Sequence, residues 1–250
     1  MTHSARVREQ NHKLNDRFFP RSLPRYVDRF RELTDLLSRN TQLVVHLGAG
    51  TVDLEPHLES GSAKPRLLNL DLSLEDLREN PGNLRVCGNA EALPLSSSSV
   101  DLICAEHVFE HFPQPLLCLQ ECFRVLRSGG NLVVSGPNGR SYIALAARLT
   151  PLSFHNWVRR LAQGSNGQHV KGFPTFYRFS SPPAMCRRAR HVGFEIVSIE
   201  TFVGAPCYTT FLPVVHVGFI AYHLLLEKLR PLFNFHRTSV AVFRKPLGNR

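Results

Sequence analysis

The stretch VVHLGAGTVDLEP, from Val44 to Pro56, decides the fold of this 250-residue chain. An apolar run ends at Gly48, and a second glycine, Gly50, follows after one intervening residue. The run predicts a buried strand, and the glycine turn before a first helix lets the backbone approach a ligand. The dinucleotide fingerprint needs a third glycine at position 53, where the chain has Asp53. Because a carboxylate repels a pyrophosphate, NAD, FAD and ATP phosphates fit this turn poorly.

Six more apolar runs follow, and most are separated by segments long enough to cross over the sheet. Strands that alternate with helices predict an α/β protein with a parallel sheet and helices on both faces. Ligands of such sheets bind at the carboxyl ends of the strands. The predicted strands span residues 42–47, 66–71, 84–87, 100–106, 131–138, 194–201 and 239–245.

Three segments predict helices from apolar residues that recur every three or four positions. The first is a lead-in helix from Arg25 to Leu37, which follows an N-terminal tail within residues 1–40. The second starts near Pro115, and we expect Gly129 and Gly130 to end it. Its predicted buried stripe is Leu116, Leu119, Phe123 and Leu126. The third helix covers about 183–191.

The formal charge of +10 is unevenly distributed. Between Thr41 and Arg127 there are six basic residues against twelve acidic ones, so the basic excess lies near the two ends. A solvated basic surface and an anionic partner, such as a lipid headgroup, a sugar phosphate or RNA, both remain open.

The six cysteines form no CxxC pair and no Cys/His set with zinc spacing, so no metal site is predicted. They are typical of free thiols in a reducing compartment. The polar N-terminus has no apolar region of a secretory signal. We therefore expect a cytoplasmic protein, unless a peripheral contact holds it at the inner face of the membrane.

Asp71 ends the second predicted strand, about twenty residues beyond the glycines. A carboxylate at this place can accept hydrogen bonds from both ribose hydroxyls of an adenosine ligand. An aspartate at the end of a strand can equally serve as a helix cap, and the spacing does not decide between the two roles.

The segment VCGNAEALPLSSSSVDLICAEHVFEHFPQPLLCLQECFRVLRSGGNLVVSGPN, residues 86–138, carries a family resemblance. It resembles the class I S-adenosylmethionine-dependent methyltransferases, specifically the small-molecule and lipid methyltransferases with GDAE-LP, FD-V, EH and RVLKPGG motifs. The resemblance covers about residues 42–138. It implies a Rossmann-like, mostly parallel seven-stranded sheet with an antiparallel last strand, and S-adenosylmethionine as the cofactor.

The resemblance also implies roles for individual residues. The turn at Gly48 and Gly50 would pass beneath the methionine part of the cofactor, and Asp71 would bind the ribose. The adenine would lie between Leu72 and the pair Asn89 and Ala90. The remaining implied cofactor residues are His46, which stands where the family has an acid, and Glu106, near the transferred methyl group.

Three departures bear on how firmly the cofactor is held. A neutral His46 is a weaker acceptor for the methionine ammonium than an acid would be. Val52 replaces a third glycine, and Asn89 replaces the usual aspartate. An amide oxygen at Asn89 can still accept from the exocyclic amine of adenine.

The turn EHVFEHF after the fourth strand supplies two candidate bases, His107 and His111, four residues apart. Either histidine could instead cap or pack the turn, and Glu110 is interpreted as a structural hydrogen-bond partner. Farther along, FPTFYR places Tyr177 and Arg178 where some bacterial methyltransferases have a similar segment. These two residues could contact substrate, or they could form an aromatic hinge on the core.

From Thr201 to Leu226 the chain has no charged residue. Its prolines and histidines, and its place between two strands, argue against a membrane span. It could cover an acyl or isoprenoid substrate, lie in a membrane surface beside Lys228, Arg230 and Arg237, or pack in a dimer or on the core.

The sequence thus predicts a methyltransferase domain over 41–250, with substrate-covering insertions at about 139–182 and 202–237. The acceptor would be a small molecule, a lipid-linked compound or a glycan, and it could lie close to a membrane. The alternative is a catalytically degenerate fold that binds or stabilises a partner. The sequence leaves open whether the protein forms a homodimer. We do not expect a nucleic-acid partner, because only the net charge favours it.

Overall fold

The computed structural model describes residues 3–20, 25–58, 64–151, 153–154, 157–158, 161, 175–176, 178–179, 181–206, 208–229 and 235–248. Seven strands of these residues form one sheet in the order β3-β2-β1-β4-β5-β7-β6. The first five run parallel, and β7 is antiparallel to both β5 and β6. This confirms the predicted mostly parallel sheet with an antiparallel last strand. The strands are β1 Leu43–Leu47, β2 Arg66–Asp71, β3 Leu84–Cys87, β4 Val100–Glu106, β5 Leu126–Pro137, β6 Glu195–Phe202 and β7 Thr238–Arg244.

Helices cover both faces of the sheet. The α2 helix packs on one face, whereas α4 and α6 pack on the other. The α-helices are α1 His3–Phe18, α2 Tyr26–Ser38, α3 Leu74–Glu79, α4 Pro115–Val125, α5 Tyr142–Leu149, α6 Pro182–Val192 and α7 Pro213–Lys228. Among the described residues, 3₁₀ turns cover Glu55–His57 and Phe109–His111. Helix α1 is an element that the sequence did not predict.

Helix α4 departs from its prediction in both its end and its buried face. It stops at Val125, because Leu126 already pairs with Val100 in the sheet. The predicted stop at Gly129–Gly130 therefore lies inside β5, where Gly129 adopts φ +81°. The buried face is Pro115, Cys118, Leu119, Cys122 and Val125.

The sequence also predicted a helix directly after the glycine turn. Between β1 and β2, the described residues contain only the 3₁₀ turn Glu55–His57. The carboxylate of Asp53 accepts a hydrogen bond from Glu55 N at 3.1 Å and fixes the chain at the start of this turn. The described part of the loop therefore offers no α-helix N-terminus to a ligand.

The described residues of the uncharged segment form the end of β6, a loop and most of α7, which packs against α1. Polar groups hold this contact together. Asn11 Nδ2 donates to Thr210 O at 2.8 Å, and Asn15 Nδ2 donates to Pro206 O at 3.1 Å. His216 also faces α1, and its Nε2 lies 3.2 Å from Asn11 O. Among the described helices, none is long and apolar enough to cross a bilayer.

Candidate active site

A cavity of about 630 Å³ opens at the carboxyl edge of the parallel strands. This is the edge where α/β sheets bind ligands. The cavity brings together eight residues predicted from the sequence. They are Gly48, Gly50, Asp71, Leu72, Asn89, Ala90, His107 and His111.

The glycine turn fits tightly against the β4 side of the cavity. Gly48 and Gly50 adopt φ angles of +69° and +48°, which residues other than glycine rarely adopt. A Cβ atom at Gly48 would overlap Val108 Cγ2. The amides of Gly48 and Ala49 both donate to Leu70 O, at 2.8 and 3.1 Å, so the turn is tied to β2.

Asp71 connects this turn to the start of α3. Its Oδ2 accepts from Gly50 N at 2.8 Å, and its Oδ1 accepts from Ser73 N at 2.8 Å. Ser73 is the N-cap of α3 and accepts from Asp76 N, so Asp71 itself does not cap the helix. Each carboxylate oxygen uses one backbone donor, which leaves acceptor capacity for a ligand in the cavity.

The wall beyond Asp71 combines an apolar surface with a polar turn. Leu72 is 72% exposed, which is unusual for a large apolar side chain and leaves it available to a flat ligand. Asn89 Oδ1 accepts from Glu91 N at 2.9 Å, and Ala92 N donates to Asn89 O at 3.0 Å. Ala90 is buried in this turn.

His46 does not line the cavity among the described residues. It points to the opposite face of β1, beside Asn69 and Cys104 on the neighbouring strands. Its side chain is almost fully buried, and this burial lowers the pKa of His46 to about 4 against the opposing effects of Asn69, Asp53 and Asp71. The imidazole is therefore neutral near pH 7 and supports the loop from the α2 side of the sheet.

Glu106, the last residue of β4, does not line the cavity either. It is half-buried, and burial raises the pKa of its carboxyl group above the ordinary value. Interactions with the side chains of His107, Arg31 and His57 act in the opposite direction on the Glu106 pKa. Tyr26 of α2 is close enough for Glu106 to raise the tyrosine pKa, in addition to the effect of burial. Glu106 therefore belongs to a polar cluster on the α2 side of the strand edge.

His107 lies at the junction between this cluster and the cavity. It adopts φ +53°, and its amide donates to Ser135 O at 2.9 Å. Its Nδ1 lies 3.3 Å from Oε1 of Glu110, a residue only 4% exposed. The Tyr26 ring packs on the imidazole edge-to-face, with 5.0 Å between centroids. Nε2 of His107 is shielded from solvent and has no hydrogen-bond partner among the described residues.

The second histidine and the downstream motif lie at the mouth of the cavity. His111 ends the 3₁₀ turn and lines the wall. Arg178 donates from Nη1 to Pro113 O at 2.6 Å, and its guanidinium lies 5.6 Å from the Phe176 ring centroid. It does not line the cavity itself. Tyr177 lies outside the described residues.

Residues of the site that the sequence interpretation missed include Val108, Phe112 and Tyr26, whereas Phe176 was part of the quoted FPTFYR motif. Val108, Phe112 and Phe176 line the cavity, and Tyr26 contacts His107. Phe176 stands beside the predicted Tyr177 and Arg178, so the quoted motif already contained this signal. Tyr26 belongs to an apolar stripe that is typical of an ordinary core helix, and nothing in the sequence distinguished it.

A family model described as "Methyltransferase domain" matches residues 45–134. The chain is 35% identical over 113 residues to malonyl-acyl carrier protein O-methyltransferase 1 of Coxiella burnetii, covering 44% of this chain and 40% of that protein. It is 44% identical over 87 residues to a Mycolicibacterium smegmatis protein named "Probable S-adenosylmethionine-dependent methyltransferase", covering 34% and 33% respectively. The chain thus spans well under half the length of both relatives.

Solved structures give the same fold. The crystal structure of the 4+2 cyclase SpnF matches with a TM-score of 0.58 and 17% sequence identity, covering 88% of this chain and 82% of that one. The fold alone does not determine the reaction. The matched segment 45–134 contains the glycine turn, Asp71, the Asn89 turn and both histidines. The chain contains a Rossmann-like, class I S-adenosylmethionine-dependent methyltransferase domain, whose cofactor is S-adenosylmethionine.

Proposed function

We propose that this protein transfers a methyl group from S-adenosylmethionine to the oxygen of a small-molecule acceptor. One observation carries the proposal: a single cavity brings together the glycine turn, the Asp71 carboxylate, exposed Leu72 and the paired His107. The O-methyltransferase named among the relatives supports oxygen as the nucleophile.

The residues of the cavity fit the cofactor. The turn at Gly48 and Gly50 offers a side-chain-free surface for the methionine part, and Asp71 has acceptor capacity for the ribose hydroxyls. Leu72 would cover one face of the adenine, with Asn89 and Ala90 at its edge. When bound, the cofactor supplies an activated methyl group on a sulfonium. In this placement His46 acts only through the loop that it supports.

The protein itself must orient the acceptor, exclude water and remove a proton where the nucleophile carries one. Val108, Phe112 and Phe176 supply apolar walls that exclude water from the cavity. His107 and His111 are the candidate proton acceptors on these walls. The pairing of His107 with buried Glu110 favours His107 as the base, with His111 contacting the acceptor.

Calorimetric titration with S-adenosylmethionine and S-adenosylhomocysteine tests the cofactor site. Replacing Asp71 by Asn keeps the size of the side chain but removes its charge and one acceptor. We expect about 100-fold weaker binding, because hydrogen bonds to charged groups contribute about 1.5–3 kcal/mol. Asp16→Asn on exposed α1 is the matched control. Unchanged affinity in the Asp71 variant would refute the placement, and a folded wild type that binds neither ligand would favour the degenerate alternative.

We also propose that the acceptor is lipid-linked and that α7 rests on an anionic membrane surface. Helix α7 turns polar His216 and His223 inward and exposes Val214, Val217 and Leu225, which are 87%, 55% and 52% exposed. A soluble helix normally has the opposite arrangement.

Exposed basic residues of α1 and α7 suit anionic headgroups. Arg6 and Arg17 are exposed on α1, which packs along α7, and Lys228 is exposed at the end of α7 itself. Apolar residues inserted between basic side chains are typical of helices that bind in the headgroup region.

Vesicle sedimentation tests this surface. We expect binding to vesicles with phosphatidylserine, little binding to pure phosphatidylcholine, and a marked loss in the double variant Val217→Ser/Leu225→Ser. Val197→Ser on β6, an equally exposed valine away from α7, is the control. Equal binding of the double variant and wild type would refute the proposal, as would a stable dimer that covers this row without lipid.

A further inference from the structure

The contact between His107 and Glu110 decides which imidazole nitrogen carries the proton. Glu110 Oε1 lies 3.3 Å from Nδ1, and because a carboxylate oxygen accepts, we assign the ring proton to Nδ1. The neutral ring then has its lone pair on Nε2. That atom has no hydrogen-bond partner among the described residues. A buried acceptor without a partner costs free energy, so its retention needs a reason.

We propose that His107 Nε2 removes the proton of an acidic hydroxyl group, a phenol or an enol, that Glu110 positions His107 for this step, and that the site discriminates against carboxylate acceptors. This inference rests on the proposed methyl transfer and specifies its acceptor. Glu110 is a positioning residue, because it acts through the imidazole.

The need for a base separates the two acceptor classes. A carboxylic acid with a pKa of about 4 is already ionised near pH 7, so its oxygen can attack without losing a proton. A phenolic hydroxyl has a pKa of about 10 and remains protonated. Only the hydroxyl gains from an imidazole held with its lone pair free.

The charges around His107 favour the same class. Glu106 and Glu110 both lie at this strand edge, and each would repel an incoming carboxylate. Two arginines, Arg31 and Arg237, act electrostatically on groups at this edge. Arg237 donates to Ala205 O at 3.0 Å and stacks on Tyr208, whereas Arg31 is exposed on α2. The remaining titratable neighbours are Tyr26 and His57.

The proposed step balances. The hydroxyl proton moves to His107 Nε2, the hydroxyl oxygen forms a bond to the methyl carbon, and the bond from that carbon to sulfur breaks. The bonding pair stays on sulfur, so the products are a methyl ether, neutral S-adenosylhomocysteine and an imidazolium. The imidazolium later returns its proton to water. No oxidant or additional reactant is required.

Backbone geometry supports a functional role for His107. Its φ of +53° is uncommon for a residue other than glycine, and such strain persists only where the surroundings enforce it. The amide bond to Ser135 O and the contact with Glu110 do so here. Tyr26, which packs on the ring, is the first residue of α2, so its side chain can turn aside without breaking the helix.

Nitrogen-15 NMR of the ring nitrogens tests the positioning without any acceptor. The signals of His107 are assigned by their loss in His107→Gln. We expect the Nδ1–H tautomer in the wild type and a loss of this preference in Glu110→Gln, because the glutamine amide can donate to Nδ1. Glu195→Gln, on the exposed edge of the sheet, should leave the tautomer unchanged. An Nε2–H tautomer in the wild type would overturn the proposal.

Transfer of a labelled methyl group tests the acceptor class, with 4-octylphenol and 4-octylbenzoate as probes of matched size. We expect base-stable label on the phenol, and Glu110→Gln should lower kcat about 100-fold with little change in KM. Base-labile label, which marks a methyl ester, on the benzoate in excess of ether formation would overturn the proposal. Calorimetry on the same samples separates the two levels: failure to bind S-adenosylmethionine refutes the methyltransferase function, whereas a wrong tautomer refutes only the dyad.

Discussion

Acid should destabilise this protein through two buried histidines well above the range in which carboxylates titrate. Burial lowers the pKa values of both His46 and His223 to about 4. Both side chains are almost fully inaccessible, and neither belongs to a described ion pair. As the pH falls from 6.5 towards 4, the two histidines bind protons in the unfolded chain but not in the folded chain, so the free energy of unfolding decreases.

The pKa values determine the size of the effect. A difference of about 2.5 units between the unfolded and folded states corresponds to about 3 kcal/mol for each histidine once the pH is below 4. At pH 5 about 2 kcal/mol is already lost at each site, or about 4 kcal/mol together. A domain of this kind has about 5–15 kcal/mol of stability in total. The pKa of His216 is also lowered by burial, which adds to the loss in the same direction.

Urea unfolding followed by circular dichroism at pH 5.0 to 7.5 measures this loss. We expect His46→Gln and His223→Gln each to remove about 1 kcal/mol per pH unit from the slope of stability against pH, because each removes about one proton of the difference. Exposed His191→Gln should retain the full wild-type slope. The reasoning fails if the His46 and His223 variants keep the wild-type slope, whatever their stability at pH 7.5.

Three further substitutions test the cofactor site. Gly48→Ala should cost about 2–4 kcal/mol of stability and abolish S-adenosylmethionine binding, because the new Cβ would overlap Val108 and alanine would have to adopt a positive φ. The control is Gly218→Ala, where an added Cβ meets nothing within 4 Å. Thermal unfolding measures the stability of each variant, and calorimetry measures its affinity for S-adenosylmethionine. Retained binding in Gly48→Ala would contradict the close packing of the glycine turn on Val108. Leu72→Ser should weaken binding about 10-fold without lowering the melting temperature, since the side chain is exposed and loses only its apolar contact with adenine; an unchanged affinity would place the adenine elsewhere. Asn89→Asp should tighten binding about fivefold, because a charged acceptor forms the stronger hydrogen bond with an amine; weaker binding would contradict the placement of the adenine edge.

The strands and the ligand edge could be predicted from the sequence because both depend on local patterns. Continuous apolar runs mark buried parallel strands, and the positions after these runs meet at one edge. Gly48, Asp71 and His107 each follow a predicted strand or end one, so their convergence requires only that the strands be parallel. The family motifs added the assignment of parts of the ligand to these positions.

The orientation of side chains within those strands could not be predicted. A strand buried on both faces shows no alternation of apolar and polar residues, so the sequence does not reveal which neighbour faces the cavity. In β1, Leu47 lines it and His46 points the other way. Glu106 on β4 is displaced from the wall in the same manner. Position 46 therefore aligns with the acidic position of the family motif, but its side chain does not reach the ligand edge.

The packing of α1 on α7 could not be predicted, for another reason. Helix α1 is strongly polar, and its large apolar residues, Val7, Leu14 and Phe18, are too sparse to predict a buried face. Its contact with α7 depends on Asn11, Asn15 and His216, which bond to backbone carbonyls from distant parts of the chain. Polar residues usually indicate a solvent-facing helix, and only the three-dimensional arrangement shows that these are buried.

The uneven charge of the chain bears on both proposals, the acceptor of the cavity and the membrane contact of α7. The segment Thr41–Arg127, which builds the cavity, carries twelve acidic residues against six basic ones. This excess suits a cofactor whose reacting centre is a positively charged sulfonium, and it opposes anionic acceptors at Glu106 and Glu110. The basic excess lies outside this segment, and it includes exposed Arg6 and Arg17 on α1, the helix that packs against α7. Under the two proposals, one chain separates an acidic site, which we expect to accept a cation and a neutral hydroxyl, from the apolar row of α7, which we expect to contact anionic lipid.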